Sequence, residues 1–296
     1  MNYDDIIKGR VNSEVWDVPF FCWAGFGGTT TTWINMSIST GGDLFAPDIG
    51  IVTGTLIPTG QIWNGAYGGI PIGAPAASSG RQRYLLSAGF WNLFAAGGVS
   101  HVYLVDTLWC GIFPVNVTGA QTITMAQGIT RYTDGVGVQL AVVAFSSPMG
   151  GNASNLTVTY TNSDGVANRT TPAQAMTPSV NLASMMVPWG SQPYMKLQAG
   201  DVGVRSVQSL SLNNSMGTAT YAALMIMRPL VLLTCAGWQD FAEFDLCQLP
   251  EGPILLPTDW LDLGGGASSP GCIMALGLTN SASATNFHGM IRTISI

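Results

Sequence analysis

The sequence predicts an all-β protein, a jelly-roll-like β-sandwich with an extended N-terminal arm. Short apolar runs rich in β-branched and aromatic residues recur about every 8–12 residues, the spacing expected of sandwiches and barrels. Turn-forming residues separate these runs, with 37 glycines and 16 prolines in 296 residues. Only residues 238–246 carry a pattern that favours a helix, and that helix would be short.

Candidate strands in the first half of the chain begin between residues 44 and 62, where two short strands fit around Gly50 and Gly60. Residues 83–89 and 99–109 are longer apolar runs typical of strands. Residues 136–145 are nearly all apolar, which predicts a strand that is buried on both faces.

The second half gives sharper signals. Residues 156–161 alternate strictly between apolar and polar side chains, which predicts a half-buried strand. The following Asn162-Ser-Asp-Gly165 predicts a tight turn, because Asp-Gly readily supplies positive φ. The remaining candidates are residues 166–171 as the return strand, a long connection over 172–194, 204–212 with a bulge, 218–227 ending at Arg228-Pro229, 273–278 and 290–296.

The first 35 residues differ from the rest in composition. Glycines Gly25, Gly27 and Gly28 follow a segment dense in aromatic rings. Such a pattern suits an extended arm whose rings fill pockets on a neighbouring subunit. The alternative is an ordinary first strand that packs on its own core. The candidate interface rings are Trp16, Phe20, Phe21, Trp23, Phe26 and Trp33.

The domain organisation that follows is an arm over residues 1–35 and a β-sandwich over residues 36–296. Residues 231–296 are a candidate for a separate subdomain. No repeat of 20–50 residues is visible, which argues against propellers and solenoids.

Charge is scarce along the chain. Only 9% of residues are Asp, Glu, Lys or Arg, against about 25% in an average globular domain. The hydrophobic fraction is 47% and the mean hydropathy is +0.32. This composition predicts a surface covered by copies of the chain or by other proteins. The alternative is a stable neutral monomer with a Ser/Thr/Gly surface.

Two classes of partner are not expected. The net charge is −6, with only two lysines, and nucleic-acid binding requires a basic face. The sequence has no uninterrupted apolar run of 18 residues and no basic start with an apolar core, so neither a membrane span nor a signal peptide is predicted.

The cysteines and histidines indicate no metal or disulfide framework. The odd number of cysteines and the lack of a C-x-x-C spacing favour free, buried thiols. His101 lies within an apolar run and is expected in the core or in a cross-strand pair, and His288 has no partner at metal-ligand spacing. The cysteines are Cys22, Cys110, Cys235, Cys247 and Cys272.

The densest acidic cluster consists of Asp240, Glu243 and Asp245. At helical spacing Asp240 would face Glu243 and could form a calcium corner. The alternative is a set of solvated carboxylates near a helix start. No Gly-x-Ser-x-Gly elbow is present. We therefore predict no catalytic residue, no cofactor site and no metal site.

Three segments resemble a group of bacteriophage structural proteins, of the jelly-roll decoration or cement kind. They are residues 103–109 with an Asp-x-Leu-Trp ending, residues 157–165 with Arg169-Thr-Thr shortly after, and residues 199–209 followed by an apolar strand and Arg228-Pro229-Leu230. The resemblance implies a β-rich component in or on the capsid, and it implies no catalytic residues. Arg205 and Arg228 each adjoin strands, where they are expected to pair with a carboxylate such as Asp201.

The sequence thus predicts a virion structural protein without enzymatic activity. The expected role is a capsid decoration or cement protein on the capsid exterior, bound to the major capsid protein as a homotrimer. The alternatives are a tail, baseplate or receptor-binding subunit that recognises glycans, and an enzyme such as a glycan-cleaving spike.

Overall fold

The computed structural model of the chain describes residues 14–24, 33–35, 61–62, 83–92, 100–122, 125, 128–144, 150–176, 192–217, 220–235, 241–245, 254–256, 273–279 and 285–295. These residues form sixteen strands. No helix occurs in this part of the chain, so none of it forms a helix that could span a membrane.

The strands, in chain order, are β1 Glu14–Ala24, β2 Trp33–Asn35, β3 Gln61–Ile62, β4 Arg83–Asn92, β5 Ser100–Pro114, β6 Gly119–Thr122, β7 Gln139–Ala144, β8 Ser154–Asn162, β9 Arg169–Thr170, β10 Gln174–Met176, β11 Val204–Leu212, β12 Tyr221–Cys235, β13 Phe241–Asp245, β14 Ile254–Leu256, β15 Ile273–Thr279 and β16 Thr285–Ser295.

Eight of the strands have the order of a jelly roll. One sheet runs β1-β16-β4-β13, and a second begins β2-β15-β5-β12, with all pairs antiparallel. If these eight strands are numbered along the chain, the sheets read 1-8-3-6 and 2-7-4-5. This is the order of two interlocked Greek keys. The prediction of an all-β, jelly-roll-like sandwich is confirmed.

A third sheet is inserted between the fourth and fifth strands of the jelly roll. Residues 115–220, here called the insert, contain the sheet β10-β8-β11-β6, in which β9 also pairs with β8. The insert begins and ends at one point, where the Val115 N–H donates to the Thr220 carbonyl over 3.0 Å. Within the insert, β7 returns to the jelly roll and pairs with β12.

One hydrophobic cluster joins the insert to the jelly roll. Its buried members include Leu104 and Trp109 of β5, and Leu224 of β12. From the insert it includes Val158 and Tyr160 of β8. The strict alternation of burial along β8, and the nearly continuous burial of β7, confirm both predicted patterns.

The predicted helix over residues 238–246 is wrong, because Phe241–Asp245 forms β13 and pairs with β4. An isolated helix of about nine residues is marginal in water. As a strand, by contrast, every residue of Phe241–Asp245 pairs with a residue of β4. The predicted calcium corner loses its helical spacing with the helix. Glu243 is exposed on β13, Asp240 lies outside the described residues, and no group that could hold a metal is found in the described part of the chain.

The predicted end of a strand at Arg228-Pro229 is also wrong, since β12 continues to Cys235. Proline interrupts a ladder only where its missing N–H is needed. The pairing of β7 with β12 stops at Met227, and the register with β5 shifts just after Pro229. Pro229 thus lies at a bulge, at a point where no described strand pairs with β12 on the side that β7 occupies up to Met227.

Local predictions over the insert held in part. Gly165 has φ of 78°, as the predicted turn requires, and β11 carries register shifts at the place where a bulge was expected. The return strand is shorter than predicted and comprises only Arg169–Thr170.

Cys110, on β5 of the jelly roll, is free and buried, as expected. Of the strands expected in residues 44–62, only Gln61–Ile62 lies within the described residues.

The first and the last described strands, β1 and β16, belong to a jelly-roll sheet. Glu14–Ala24 pairs along its whole length with β16, so its backbone follows the alternative of a first strand rather than an extended arm. Strands β13 to β16, within the candidate subdomain 231–296, pair with β4, β5, β1 and β2. This stretch is therefore interleaved with the rest of the sandwich.

Candidate functional site

The structure places five of the six predicted interface rings on strands of two sheets. Trp16, Phe20, Phe21 and Trp23 lie on β1, and Trp33 lies on β2 of the other jelly-roll sheet. Phe26 lies outside the described residues. Both β1 and β2 stand at the end of their sheet's strand order. The role of these rings in an interface stays a prediction.

A polar cluster centred on Asp201 closes one end of the inserted sheet. Arg169 donates to both carboxylate oxygens of Asp201 at 3.0 Å, from Nε to Oδ2 and from Nη2 to Oδ1. The Tyr160 hydroxyl donates to Oδ2 at 2.5 Å, and the Asn162 amide donates to Oδ1 at 2.8 Å. The Asp201 side chain is only 3% exposed. Several elements of the insert are thereby fixed on one carboxylate.

The partner of Asp201 is not the one predicted from the sequence. Neither Arg205 nor Arg228 binds it; both instead donate to backbone carbonyls, those of Asp134 and Val136. Arg169 is brought to Asp201 because it stands opposite Tyr160 in the β8–β9 pair. No local sequence signal marks this pairing.

The cluster shifts the acid–base behaviour of its members. Hydrogen bonds from the Arg169 guanidinium are the largest cause that lowers the pKa of Asp201 to about 2, against the opposing effect of burial. Burial, followed by the hydrogen bond to Asp201, raises the pKa of Tyr160 to about 12. Both shifts favour the charge states that the ion pair needs at neutral pH.

We expect the Asp201 cluster to stabilise the fold above about pH 4. A carboxyl whose pKa is depressed in the folded state contributes stability above its unfolded pKa and loses it as the pH falls through the folded value. Unfolding midpoints of wild type and Asp201→Asn, compared from pH 7 to pH 2, should therefore converge between about pH 4 and pH 2. A constant difference over that window would contradict this role.

A second ion pair fastens the insert to the jelly roll. Arg131 donates from Nε and Nη2 to the two oxygens of Asp106 on β5, at 3.0 Å and 2.8 Å, and also to the Thr107 carbonyl at 2.7 Å. Asp106 is 0% exposed and Arg131 is 5% exposed. The pair was not predicted, although a charged residue inside the apolar run of residues 102–109 was a visible signal.

Three loops meet beside the Asp201 cluster and form the end of the insert. We call the surface formed by Val136, Val166 and Val202 the tip. The Gly137 N–H donates to the Val202 carbonyl at 2.9 Å, and Val136 bridges Gly203. These contacts join the loop that carries Val136 to the loop that carries Val202.

The loop that carries Val166 is joined to the other two loops through Gly203. The Ser163 N–H donates to the Gly203 carbonyl at 3.0 Å, and the Asn162 N–H donates to the Val166 carbonyl at 3.1 Å. The Asn162 side chain accepts from the N–H groups of Asp164 and Val166. The tip is thus built on loops with fixed backbones.

The three loops can meet because the backbone at Gly203 packs closely against the backbone of residues 135–137. A Cβ at Gly203 would lie 1.9 Å from the Gly135 carbonyl oxygen and 2.9 Å from the Gly137 nitrogen. We expect Gly203→Ala to lower the free energy of unfolding by about 1–3 kcal/mol, because backbone atoms have to separate. Gly151→Ala, where a Cβ meets open space, is the matched control in denaturant unfolding. Equal midpoints for the two variants would contradict the packing argument.

His101 has the cross-strand position predicted for it. It stands opposite Thr234 in the β5–β12 pair, and its Nδ1 lies 2.9 Å from the threonine hydroxyl. Burial lowers the pKa of His101, which favours the neutral ring. This arrangement is a structural contact between two strands.

The described side chains therefore offer two kinds of chemistry. Asp106 forms an ion pair with Arg131, and Asp201 forms one with Arg169, so these four charged groups stabilise the scaffold. The tip presents apolar side chains to solvent on fixed loops, which is the chemistry of a contact surface.

No family model matches the chain, and no curated protein matches it. Among solved structures, it is similar to that of infectious bursal disease virus Gt strain, at 9% identity over 96% of this chain and 81% of that chain, with a TM-score of 0.23. It is also similar to the infectious bursal disease virus VP2 subviral particle, at 10% identity over 96% of this chain and 80% of that chain, with a TM-score of 0.22. TM-scores of this size establish no common fold, and the fold assignment rests on the strand order.

Proposed function

We propose that the chain is a structural subunit of a virus particle and that it works without catalysis. The observation that carries the proposal is the strand order 1-8-3-6 and 2-7-4-5. Jelly rolls built from two Greek keys are a recurrent architecture of viral capsid domains, and also of lectins and cupins. Because a fold does not fix a function, the side chains have to discriminate among these classes.

The side chains favour a scaffold. Asp106 and Arg131 are buried against each other and join the insert to the sandwich. Asp201 is saturated by Arg169, Tyr160 and Asn162. The charged fraction of 9% supports a surface that is largely covered by protein contacts. These features support a subunit selected for assembly.

Within this class, the proposed role is that of a decoration or cement protein on the exterior of a bacteriophage capsid. It would bind the major capsid protein as a homotrimer. The resemblance over residues 103–230 supports this assignment. A subunit that grips several capsid neighbours gains strength through multivalency, so it would resist the separation of capsomers under internal pressure.

A second candidate is a subunit that builds the shell itself. The observation in its favour is the junction between Val115 and Thr220, at which the insert both leaves and rejoins the jelly roll. Domains inserted in this way are connected to their host at one place. The sandwich could then form the shell while the insert faces outward.

Assembly of the purified full-length chain separates the two candidates. Light scattering and negative-stain microscopy would be applied to the chain alone and after mixing with capsids depleted of it. A small oligomer that binds capsids up to a saturating ratio is the result expected for a decoration protein. Closed particles formed by the chain alone would instead establish shell building. A monomer that neither assembles nor binds capsids would contradict both.

A further inference from the structure

We propose that Tyr103 and Tyr194 form a site of oxidative cross-linking, at which a one-electron oxidant joins the two rings by a carbon–carbon bond. The bond would fasten the insert to the jelly roll covalently, because Tyr103 lies on β5 and Tyr194 lies in the insert. The inference goes beyond the proposed function, since it concerns a chemical modification of the chain and holds for any role of the assembled protein.

The two rings are in contact. Their centroids are 5.5 Å apart and their planes are inclined by 65°, so the edge of one ring meets the face of the other. Burial is the largest cause that raises the pKa of Tyr194, and the charge of Tyr103 adds to the effect of burial. A charge effect of this kind requires the two hydroxyl ends to lie near each other. The ring carbons beside the hydroxyls, which are the carbons that couple when tyrosine is oxidised, therefore lie in the same region.

The backbones that carry the two rings are fixed before any reaction. Tyr103 pairs with Leu232 of β12 on one side and with Leu276 of β15 on the other. Next to Tyr194, the Met195 N–H donates to the Leu140 carbonyl of β7 at 2.8 Å. Reacting groups that are held in place in this way couple with little loss of freedom.

The exposure of the two rings differs in a way that favours coupling within one chain. Tyr103 is half-buried, so a small oxidant in solution can take an electron from it. Tyr194 is only 7% exposed, so its electron leaves through Tyr103, and a radical on Tyr194 is shielded from other chains. The ring with which a Tyr194 radical is in contact is that of Tyr103.

The reaction balances with two equivalents of the oxidant. Each equivalent accepts one electron, and each phenol releases its proton to water, which gives a tyrosyl radical on each ring. The two radicals form a bond between ring carbons adjacent to the oxygens. The hydrogen on each of these carbons then moves to the oxygen of its own ring, which restores both phenols. The product thus has two hydrogens fewer than the two separate tyrosines.

Photo-oxidation of the dilute full-length chain tests the proposal. Light-generated tris(bipyridyl)ruthenium(III) would be the one-electron oxidant, with persulfate as the final electron acceptor. Dityrosine fluorescence would measure the yield, and mass spectrometry of linked peptides would identify the residues. The test variants are Tyr103→Phe and Tyr194→Phe, which keep the rings and remove the hydroxyls. Tyr221→Phe, at a half-buried tyrosine of β12, is the matched control.

Tyr194→Phe is expected to fold, because the Tyr194 hydroxyl is buried without a hydrogen-bond partner in the described structure. Circular dichroism would verify the fold of each variant. We expect wild type to give a linked peptide pair that contains positions 103 and 194, at a yield that is independent of chain concentration. Either test variant should lose this product, and Tyr221→Phe should retain it. The denaturant midpoint of the linked chain should rise, because a cross-link restricts the unfolded chain.

Three results would overturn the proposal. Linked peptides that join other tyrosines, with no link between positions 103 and 194, would show that the contact does not direct the coupling. A yield that rises with chain concentration would show that the bond forms between chains. Oxidation of single rings in the folded wild type, without any linked product, would show that rings in this arrangement do not couple.

Discussion

Replacement of Arg131 by methionine is expected to lower the free energy of unfolding by about 3–5 kcal/mol. The substitution leaves the Asp106 carboxylate, which is 0% exposed, without its ionic partner in the interior. The cost is large because a buried charge that loses its partner keeps its full desolvation penalty. Urea unfolding of the purified chain, followed by tryptophan fluorescence, measures this loss.

Two further variants define the cause. In Asp106→Leu combined with Arg131→Met, most of the lost stability should return, because a well-packed apolar pair can replace a buried ion pair. Arg205→Met removes a half-buried arginine that binds only a backbone carbonyl in the described structure, and its effect should be smaller. An unfolding midpoint for Arg131→Met equal to that of wild type would contradict the proposed fastening of the insert.

Truncation of Trp109 is expected to cost about 3–5 kcal/mol as well. Trp109 is fully buried on β5 and belongs to the cluster that both the jelly roll and the insert share. Its ring covers Gly111, where an added Cβ would lie 2.3 Å from the ring. Trp109→Ala would leave a cavity between two sheets that cannot close without moving their ladders. Thermal and denaturant unfolding both measure the loss.

The control for Trp109→Ala is Leu232→Ala, a truncation on β12 at a side chain that is 43% exposed. Its effect should stay within about 0.5 kcal/mol, as for most surface substitutions. If both truncations shifted the midpoint by the same small amount, Trp109 would not be a central element of the shared core.

Local patterns predicted the strands, because alternation and turn chemistry are encoded by neighbouring residues. The alternation in β8 and the Asp-Gly turn after it specify a half-buried strand and its reversal without tertiary information. The short segment at residues 238–246 was misassigned for the complementary reason. Its helical pattern was weak, and the β4 edge with which it pairs lies far away in sequence.

Pairing between distant segments was not predictable in the same way. The aromatic segment before residue 24 has the composition of an arm, yet its backbone pairs with β16 at the other end of the chain. The aromatic composition of a segment indicates that its rings have to be buried, but it does not identify the strand or subunit against which they pack. For the same reason the sequence indicated that Asp201 needs a cation, while the β8–β9 register determined that Arg169 provides it.

The candidate site was missed because its signal is conformational. Val136, Val166 and Val202 are ordinary apolar residues in the sequence, and each could have been buried. Their exposure became visible only when the Val136–Gly203 bridge and the Ser163–Gly203 hydrogen bond brought three loops together. The glycines gave a partial signal, since closely spaced glycines at turns permit such backbone contact.

Quantitative mass spectrometry of purified virus particles tests the central claim most directly. On the proposed function the gene for the chain belongs to a virus. Particles of that virus would be purified by density gradient, and the chain's copy number would be measured relative to the main shell protein. The account predicts that the chain co-purifies with intact particles in a fixed ratio to that protein. Its absence from washed particles, with recovery only from the surrounding lysate, would contradict a role as a structural subunit.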